Sequence, residues 1–297
     1  MPDLLAIFGP TAAGKTGAAI ELAERLRLRG EDPVAISCDA IQVYRGLEVL
    51  SGAPTTAERE RLDHRLVGIT DVDQEFSAGR FAELAQAEID TLLAEGRRPI
   101  VVGGTGLYLR AALSELELRP PVPAGVREEV ERELAERGPE ALHAELPAEQ
   151  RGWVHPNDRK RIARATELAR AGIDPAPRDE QGGELWTARL RHPALLAGLS
   201  LEREELDARI DARVEAMAAA GAGAEARAAL DAGASRTARA ALGFDGFLAG
   251  DLEAVKTAHR RYARRQLTWM RRMDGVTVID RGGREEAAVA DQLLSLL

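Results

Sequence analysis

The residues with the clearest chemical purpose lie near the start of the chain, in the stretch FGPTAAGKTG. This stretch matches every fixed position of the phosphate-binding pattern G-x-x-x-x-G-K-[ST]. It follows an apolar run, LLAIF, and precedes residues with apolar side chains at helical spacing. Glycines let N–H groups turn toward an anion, a lysine adds positive charge, and the Thr16 hydroxyl can bind Mg²⁺. The predicted phosphate-binding loop consists of Gly9, Pro10, Thr11, Ala12, Ala13, Gly14, Lys15 and Thr16.

Two more polar side chains follow predicted strands. Asp39 ends the stretch VAISCD, and Thr105 lies in GGTG after the run RPIVV. Ligands bind at the carboxyl ends of parallel strands, so we expect both residues beside the phosphate loop. P-loop NTPases usually hold Mg²⁺ with a strand-end aspartate, but RPIVV ends without an acid. Asp39 is therefore either a metal ligand or a group with another task, such as a catalytic base.

The composition is that of a globular, helix-rich protein. The chain has 297 residues, of which 45% are hydrophobic and 30% charged, enough for one large domain or two small ones. The single cysteine, Cys38, excludes a disulfide framework, and the histidines show no metal-ligand spacing. We expect no secretion signal and no membrane span, since the N-terminus lacks a basic region and long apolar runs are absent. The expected location is the cytoplasm.

The order of predicted elements indicates an α/β fold. Strands alternate with helices as far as about residue 114, including an amphipathic helix at 77–97 with Ser77 as its N-cap. A proline-rich break and a charged helical region follow, then a polar loop at Pro175–Gly183 and a strand at Ala194–Leu201. Long helices from Glu202 to the mid-270s precede a last strand, GVTVID. We predict a P-loop-type parallel sheet core flanked by helices (1–114 plus 194–297) with a helical insertion domain (115–193).

Two basic stretches interrupt the acidic chain, whose net charge is −9. RKRIAR (159–164) has four basic residues and no acid, and KTAHRRYARRQLTWMRR (256–272) has seven and no acid. Such clusters favour contact with nucleic-acid phosphates over a solvated helix face. Within the second stretch, Tyr262, Gln266, Trp269 and Met273 recur at helical spacing, which we interpret as core packing rather than a base-stacking platform.

Five motifs in order carry a family resemblance: GPTAAGKT, SCDAIQVYRGLEV, VVGGTGLYLRAAL, HPNDRKRIARATE and RRYARRQLTWMRR. From Phe8 to about Arg272 the chain resembles the tRNA dimethylallyltransferases. The resemblance implies that the loop binds dimethylallyl diphosphate with Mg²⁺ and that diphosphate is displaced. The dimethylallyl group would pass to N6 of the adenosine on the 3′ side of the tRNA anticodon. The insertion would contact the anticodon stem, and we expect a monomer.

The resemblance also implies residue roles. Asp39 would accept the N6 proton or a hydrogen bond from N6, Thr105 would help to orient the nucleotide, and Arg213 would bind diphosphate. The residues implied in tRNA binding are Asp39, Ala40, Ile41, Gln42, Thr105, Arg127, Lys160, Arg161, Ile162, Ala163 and Arg164.

The chain departs from the family pattern at three places. The family has Asp-Ser where this chain has Asp39-Ala40, and G-T-A-K-P where it has LSGAP (Leu50–Pro54). It also has Tyr followed by Lys or Arg where this chain has Phe244-Asp245 in AALGFD. These changes concern base recognition and leave the prenyl-transfer residues intact. The alternatives are a small-molecule kinase, an adenine-nucleotide prenyltransferase and a non-enzymatic RNA-binding protein.

Overall fold

The chain divides into two compact units, Met1–Glu117 with Glu184–Leu297, and Leu118–Gly183. The computed structural model describes residues 2–116, 118–152, 154–173 and 189–297. The polar loop predicted at Pro175–Gly183 lies outside these residues.

The first unit is built on a six-stranded sheet in the order β3-β2-β4-β1-β5-β6, with every pairing parallel. The strands are β1 (Leu4–Phe8), β2 (Pro33–Cys38), β3 (His64–Arg65), β4 (Arg98–Gly103), β5 (Ala194–Ser200) and β6 (Val276–Asp280). Helices connect and cover these strands, and the fold class predicted from the sequence is confirmed. All residues of β1 and β2 are buried, which explains their continuous apolar runs, since a central parallel strand is covered on both faces.

In chain order, the helices are α1 (Lys15–Leu28), α2 (Glu48–Ser51), α3 (Thr56–Arg61), α4 (Ala78–Ala94), α5 (Gly106–Leu113), α6 (Ala124–Glu145), α7 (Ala148–Arg151), α8 (Arg159–Arg170), α9 (Arg203–Ala219), α10 (Ala222–Asp231), α11 (Arg236–Arg239), α12 (Phe244–Ala249), α13 (Leu252–Arg272) and α14 (Glu286–Ser295). The helix predicted at 77–97 is confirmed as α4, and the Ser77 hydroxyl accepts the Arg80 N–H at 3.1 Å as its N-cap. Among the described helices, none combines the length and the apolar character that a membrane crossing requires.

The strand register brings three loops to one edge of the sheet. Gly103, the last residue of β4, is paired with Phe8 at the end of β1 and with Cys38 at the end of β2. The phosphate loop, the segment after Cys38 and the GGTG turn (103–106) therefore emerge side by side. This adjacency was predicted from the strand-end positions alone.

The second unit is helical. Helix α6, which is kinked at Gly138–Pro139, packs against α8 around a small apolar core. The core residues are Val130, Leu134, Leu142, Leu146, Val154, Ile162 and Ala165. Asp158 caps α8 by accepting the N–H of Arg161 at 3.1 Å.

Two parts of the architecture differ from the sequence expectation. The edge strand β3 has only the polar residues His64 and Arg65, too short for a recognisable alternation pattern. The region predicted as long helices from Glu202 onward consists of five helices. A glycine in a left-handed backbone conformation lies at each of the four breaks, at Gly221, Gly233, Gly243 and Gly250.

Candidate active site

The phosphate loop ends where α1 begins. Gly14, the N-cap of α1, has φ 77°, and Ala12 has φ 64°, a left-handed conformation that is uncommon for a residue with a side chain. The first N–H groups of α1 have no carbonyl one turn earlier to bond, so they are available to an anion. The Lys15 ammonium curls back over the loop and donates to the Pro10 carbonyl at 2.8 Å.

Asp39 lies immediately after β2 and is half-buried. Its Oδ1 accepts the Ile41 N–H at 2.9 Å and the Gln42 N–H at 3.4 Å. This turn fixes the orientation of the carboxylate by its own backbone. No residue in the described part of the chain donates a hydrogen bond to Oδ2, so this oxygen is available to a ligand.

Thr105 joins the GGTG turn to the Asp39 segment. Its Oγ1 accepts the Ala40 N–H at 3.4 Å and lies 3.5 Å from the Tyr262 hydroxyl. Thr105 is the N-cap of α5, but its side chain makes no cap hydrogen bond. The hydroxyl therefore lies between the Asp39 segment and α13.

The site gathers positive charge around Asp39. Burial and the nearby Arg213 guanidinium lower the pKa of Lys15 to about 8, against an opposing effect of the Asp39 carboxylate. The pKa of Arg213 is also lowered, chiefly by burial, and Asp39 opposes this as well. The buried Nε of Arg213 has no hydrogen-bond partner within the described ranges. Two desolvated cations without a full set of partners favour an anionic ligand.

Two neighbouring ionisable groups stay neutral. Burial raises the pKa of Tyr262 to about 12, with a smaller contribution from Asp39, so the phenol remains a hydrogen-bond donor. Burial also raises the pKa of the Cys38 thiol, which removes it as a nucleophile. The arrangement can therefore hold an anion at the loop while a carboxylate and a hydroxyl face a second reactant beside it.

The residues expected to contact RNA through the second unit fall into three groups. Lys160 and Arg161 are exposed in the first turn of α8. Ile162 is fully buried in the core of the unit, and Ala163 is packed against that core. Arg164 and Arg127 form ion pairs within the unit.

Arg127 and Arg164 converge on one carboxylate. Glu167, only 6% exposed, pairs with Arg164 Nη1 at 3.1 Å and with Arg127 Nε at 3.7 Å. Arg164 also donates to the Pro120 carbonyl at 2.8 Å. A buried carboxylate between two guanidinium groups fixes their positions and offsets part of their charge.

Gln42, which the resemblance implies in tRNA binding, and two positions that depart from the family pattern, Phe244 and Asp245, have structural roles of their own. Gln42 accepts from the Ser37 hydroxyl at 2.7 Å and donates to the Gly52 carbonyl at 3.2 Å, which links β2 to the end of α2. Phe244 is buried, whereas Asp245 is exposed in the first turn of α12, where a negative charge suits the helix dipole.

The second basic stretch forms the larger part of α13 and is only partly paired. Lys256 bonds to Glu215 and Glu253, each at 2.9 Å, and Arg260 pairs with Asp211. Arg209, one helical turn before Arg213 on α9, pairs with Glu205 at 3.0 Å on the same helix.

Sequence reasoning missed two residues at this site. Gln266 of α13 contacts both the phosphate loop and the GGTG turn, although it was interpreted as core packing. Gly52 borders the Arg213 guanidinium. A polar residue within an apolar stripe was the available signal for Gln266, and Gly52 offered none.

Sequence comparisons with known proteins point to one family. A sequence model of the family described as IPP transferase matches residues 42–273. A tRNA dimethylallyltransferase of Anaeromyxobacter sp. is 42% identical over 93% of this chain and 94% of its own length. One from Streptomyces griseus is 39% identical over 100% of this chain and 96% of its own length.

Solved structures agree with the sequence relatives. The tRNA isopentenylpyrophosphate transferase of Bacillus halodurans is 30% identical with a TM-score of 0.71, covering 100% of this chain and 95% of its own. A eukaryotic dimethylallyltransferase acting on tRNA has the same fold, with a TM-score of 0.75 at 23% identity, over 95% of this chain and 75% of its own. The chain therefore belongs to the tRNA dimethylallyltransferase family.

Proposed function

We propose that this protein transfers the dimethylallyl group from dimethylallyl diphosphate to N6 of the adenosine on the 3′ side of the tRNA anticodon. The observation that carries the proposal is the pairing of two sites at one sheet edge. One is an anion loop with two desolvated cations, Lys15 and Arg213. The other is Asp39, which is held by its own turn with Oδ2 available. A kinase is disfavoured because β4, the neighbour of β1, ends in GGTG without an acid.

The chemistry is a substitution at carbon. The N6 lone pair forms a bond to C1 of the dimethylallyl group as the bond from C1 to the diphosphate oxygen breaks. Lys15, Arg213 and the N–H groups of the loop stabilise the charge that grows on departing diphosphate. Asp39 accepts the N6 proton, and Thr105, tied to the same segment through Ala40 at 3.4 Å, orients the adenine.

A magnesium ion fits the donor set in one specific way. Among the described residues, no three His, Cys, Asp or Glu side chains lie together as a metal cage. Mg²⁺ commonly keeps several waters and binds through few protein ligands plus phosphate oxygens. The Thr16 hydroxyl, at the start of α1, would be its protein ligand. When bound, the ion would neutralise and orient the diphosphate.

We propose that the second unit holds the anticodon stem through Lys160, Arg161, Arg164 and Arg127. Support comes from the exposure of the first two at the N-terminus of α8, where N–H groups and cations together favour phosphate. The target adenine must leave its stack to reach Asp39. Since all proposed catalytic residues lie in one unit of one chain, we further propose a monomer, acting in the cytoplasm.

The test is transfer of label from radiolabelled dimethylallyl diphosphate to an unmodified tRNA with adenosine 3′ to its anticodon. We expect label in the RNA with wild-type protein, and a loss of about 10²–10⁴-fold in kcat for Asp39→Asn with unchanged tRNA binding. Asp231→Asn, a change to an exposed aspartate at the end of α10 that has no role in the proposal, is the matched control. Label in free AMP instead would favour a nucleotide prenyltransferase, and ATP turnover would favour a kinase.

A further inference from the structure

Gln266, on α13, contacts two loops of the active site with one side-chain amide. Its Oε1 accepts the Thr11 N–H of the phosphate loop at 2.8 Å, and its Nε2 donates to the Gly104 carbonyl of the GGTG turn at 2.8 Å. The partners fix the orientation of the amide, because an N–H can only donate and a carbonyl can only accept.

The GGTG turn is shaped to receive this contact. A Cβ atom on Gly104 would lie 2.2 Å from Gln266 Nε2, and one on Gly106 would lie 2.3 Å from the Trp269 ring. The backbone of the turn therefore packs directly against α13, and any side chain at these two positions would push the helix away. Gln266 is only 4% exposed, so solvent cannot substitute for its two partners.

We infer that Gln266 is a positioning residue that locks the phosphate loop to the GGTG turn and thereby fixes Thr105 relative to the diphosphate. The inference rests on the site proposed above. Thr105 directly follows Gly104, and Thr11 lies in the same loop as Lys15. One side chain therefore sets the spacing between the group that orients the nucleophile and the groups that hold the leaving group.

The same helix carries a second contact to the turn. The Tyr262 hydroxyl, one turn before Gln266, lies 3.5 Å from both the Gly104 carbonyl and Thr105 Oγ1. At this distance it reinforces the turn weakly, whereas both Gln266 hydrogen bonds have ideal length. The stripe interpreted from the sequence as core packing thus forms the surface on which the catalytic turn rests.

The experiment compares Gln266→Leu with Gln86→Leu in the full chain. Gln86 is a matched control, because its amide also bonds to backbone, donating to the carbonyls of Ala111 at 2.9 Å and Ser114 at 3.2 Å, and neither partner belongs to the site. We expect Gln266→Leu to lower kcat about 10²-fold, as for a misplacement of roughly 1 Å, and to raise KM for dimethylallyl diphosphate. Gln86→Leu is expected to change kcat and KM by less than about threefold each.

Hydrogen exchange supplies a readout independent of turnover. In Gln266→Leu, amides of the phosphate loop and of the GGTG turn should both exchange faster than in wild type, whereas Gln86→Leu should leave both unchanged. If Gln266→Leu does not fold, Gln266→Glu serves at a pH where its carboxyl is ionised, since the carboxylate still accepts from Thr11 but cannot donate to Gly104. In that variant only the turn should loosen.

Two results would overturn the inference. One is kinetics of Gln266→Leu equal to those of Gln86→Leu. The other is a loss of activity with unchanged exchange in both loops. Failure of the proposed site is recognised separately, because Lys15→Ala would then retain transfer activity whatever Gln266 does.

Discussion

Gly52 offers a sharp test of the role proposed for Arg213. It ends α2 with φ 59°, and a Cβ atom built there would lie 1.7 Å from Arg213 Nη2 and 2.7 Å from Cζ. No side chain can share that space with the guanidinium. Gly52→Ala must therefore displace Arg213 from its position beside Lys15 and Asp39.

The size of the effect follows from separating two contributions. Alanine in a left-handed conformation destabilises the fold by about 1–2 kcal/mol wherever it occurs. Gly46 supplies this contribution alone, since it has φ 82° and a Cβ atom placed on it would meet no other atom within 4 Å. Loss of one preorganised charge contact to a leaving group lowers kcat by about 10²–10³-fold, and this contribution belongs to Gly52→Ala only.

The assay measures thermal unfolding and single-turnover prenyl transfer for both variants. We expect Gly52→Ala to lose at least as much stability as Gly46→Ala, with transfer impaired about 10²–10³-fold in Gly52→Ala and nearly normal in Gly46→Ala. Arg213→Ala should be impaired by a similar factor, and combining it with Gly52→Ala should add little, since both act on one guanidinium. Transfer by Gly52→Ala at the level of Gly46→Ala would refute the assignment of Arg213 to the diphosphate.

Two further predictions concern charge. The pKa of Lys15 is lowered to about 8, so its ammonium is present below that pH and is lost above it. KM for dimethylallyl diphosphate should therefore rise as the pH passes 8. A KM that stays constant up to pH 9 would contradict this. The double variant Lys160→Glu with Arg161→Glu should weaken tRNA binding and reduce the slope of log K against log salt by roughly 1.5–2. The control is Arg132→Glu with Arg151→Glu, two exposed arginines of the same unit, which should leave that slope near the wild-type value.

Much of the fold could be predicted from the sequence because it depends on local patterns of residues. The strands β1, β2, β4 and β5 are mainly apolar runs, and β6 is a short stretch rich in β-branched residues. The loop before α1 follows a motif with a backbone rationale. Their strand-end positions were enough to bring Asp39 and Thr105 together. β3 could not be found, since its pairing with β2 depends on tertiary contacts of only two residues.

The missed residues act through long-range contacts. Gln266 and Thr11 are 255 positions apart in the sequence, and neither residue type predicts a contact with the other. Glu167 is similar: within RKRIARATE it is one acid after a basic run, yet its burial brings Arg127 and Arg164 together. The sequence identifies the polar and charged side chains, and tertiary packing determines which of them come into contact.

Several cations lie where the fold disfavours positive charge, and these cations are the ones proposed to contact phosphate. Arg159, Lys160 and Arg161 occupy the positive end of the α8 dipole, where basic residues are unfavourable, and Asp158 offsets them only in part. Inside the first unit, burial disfavours the charged forms of both Lys15 and Arg213. Phosphate relieves both conflicts, since its negative charge is favoured at the positive end of the α8 dipole and supplies the missing partner of the buried cations. Binding of diphosphate or tRNA should therefore raise the thermal stability of the protein, and charge-neutral variants at either cluster should be more stable alone and gain less from the ligand.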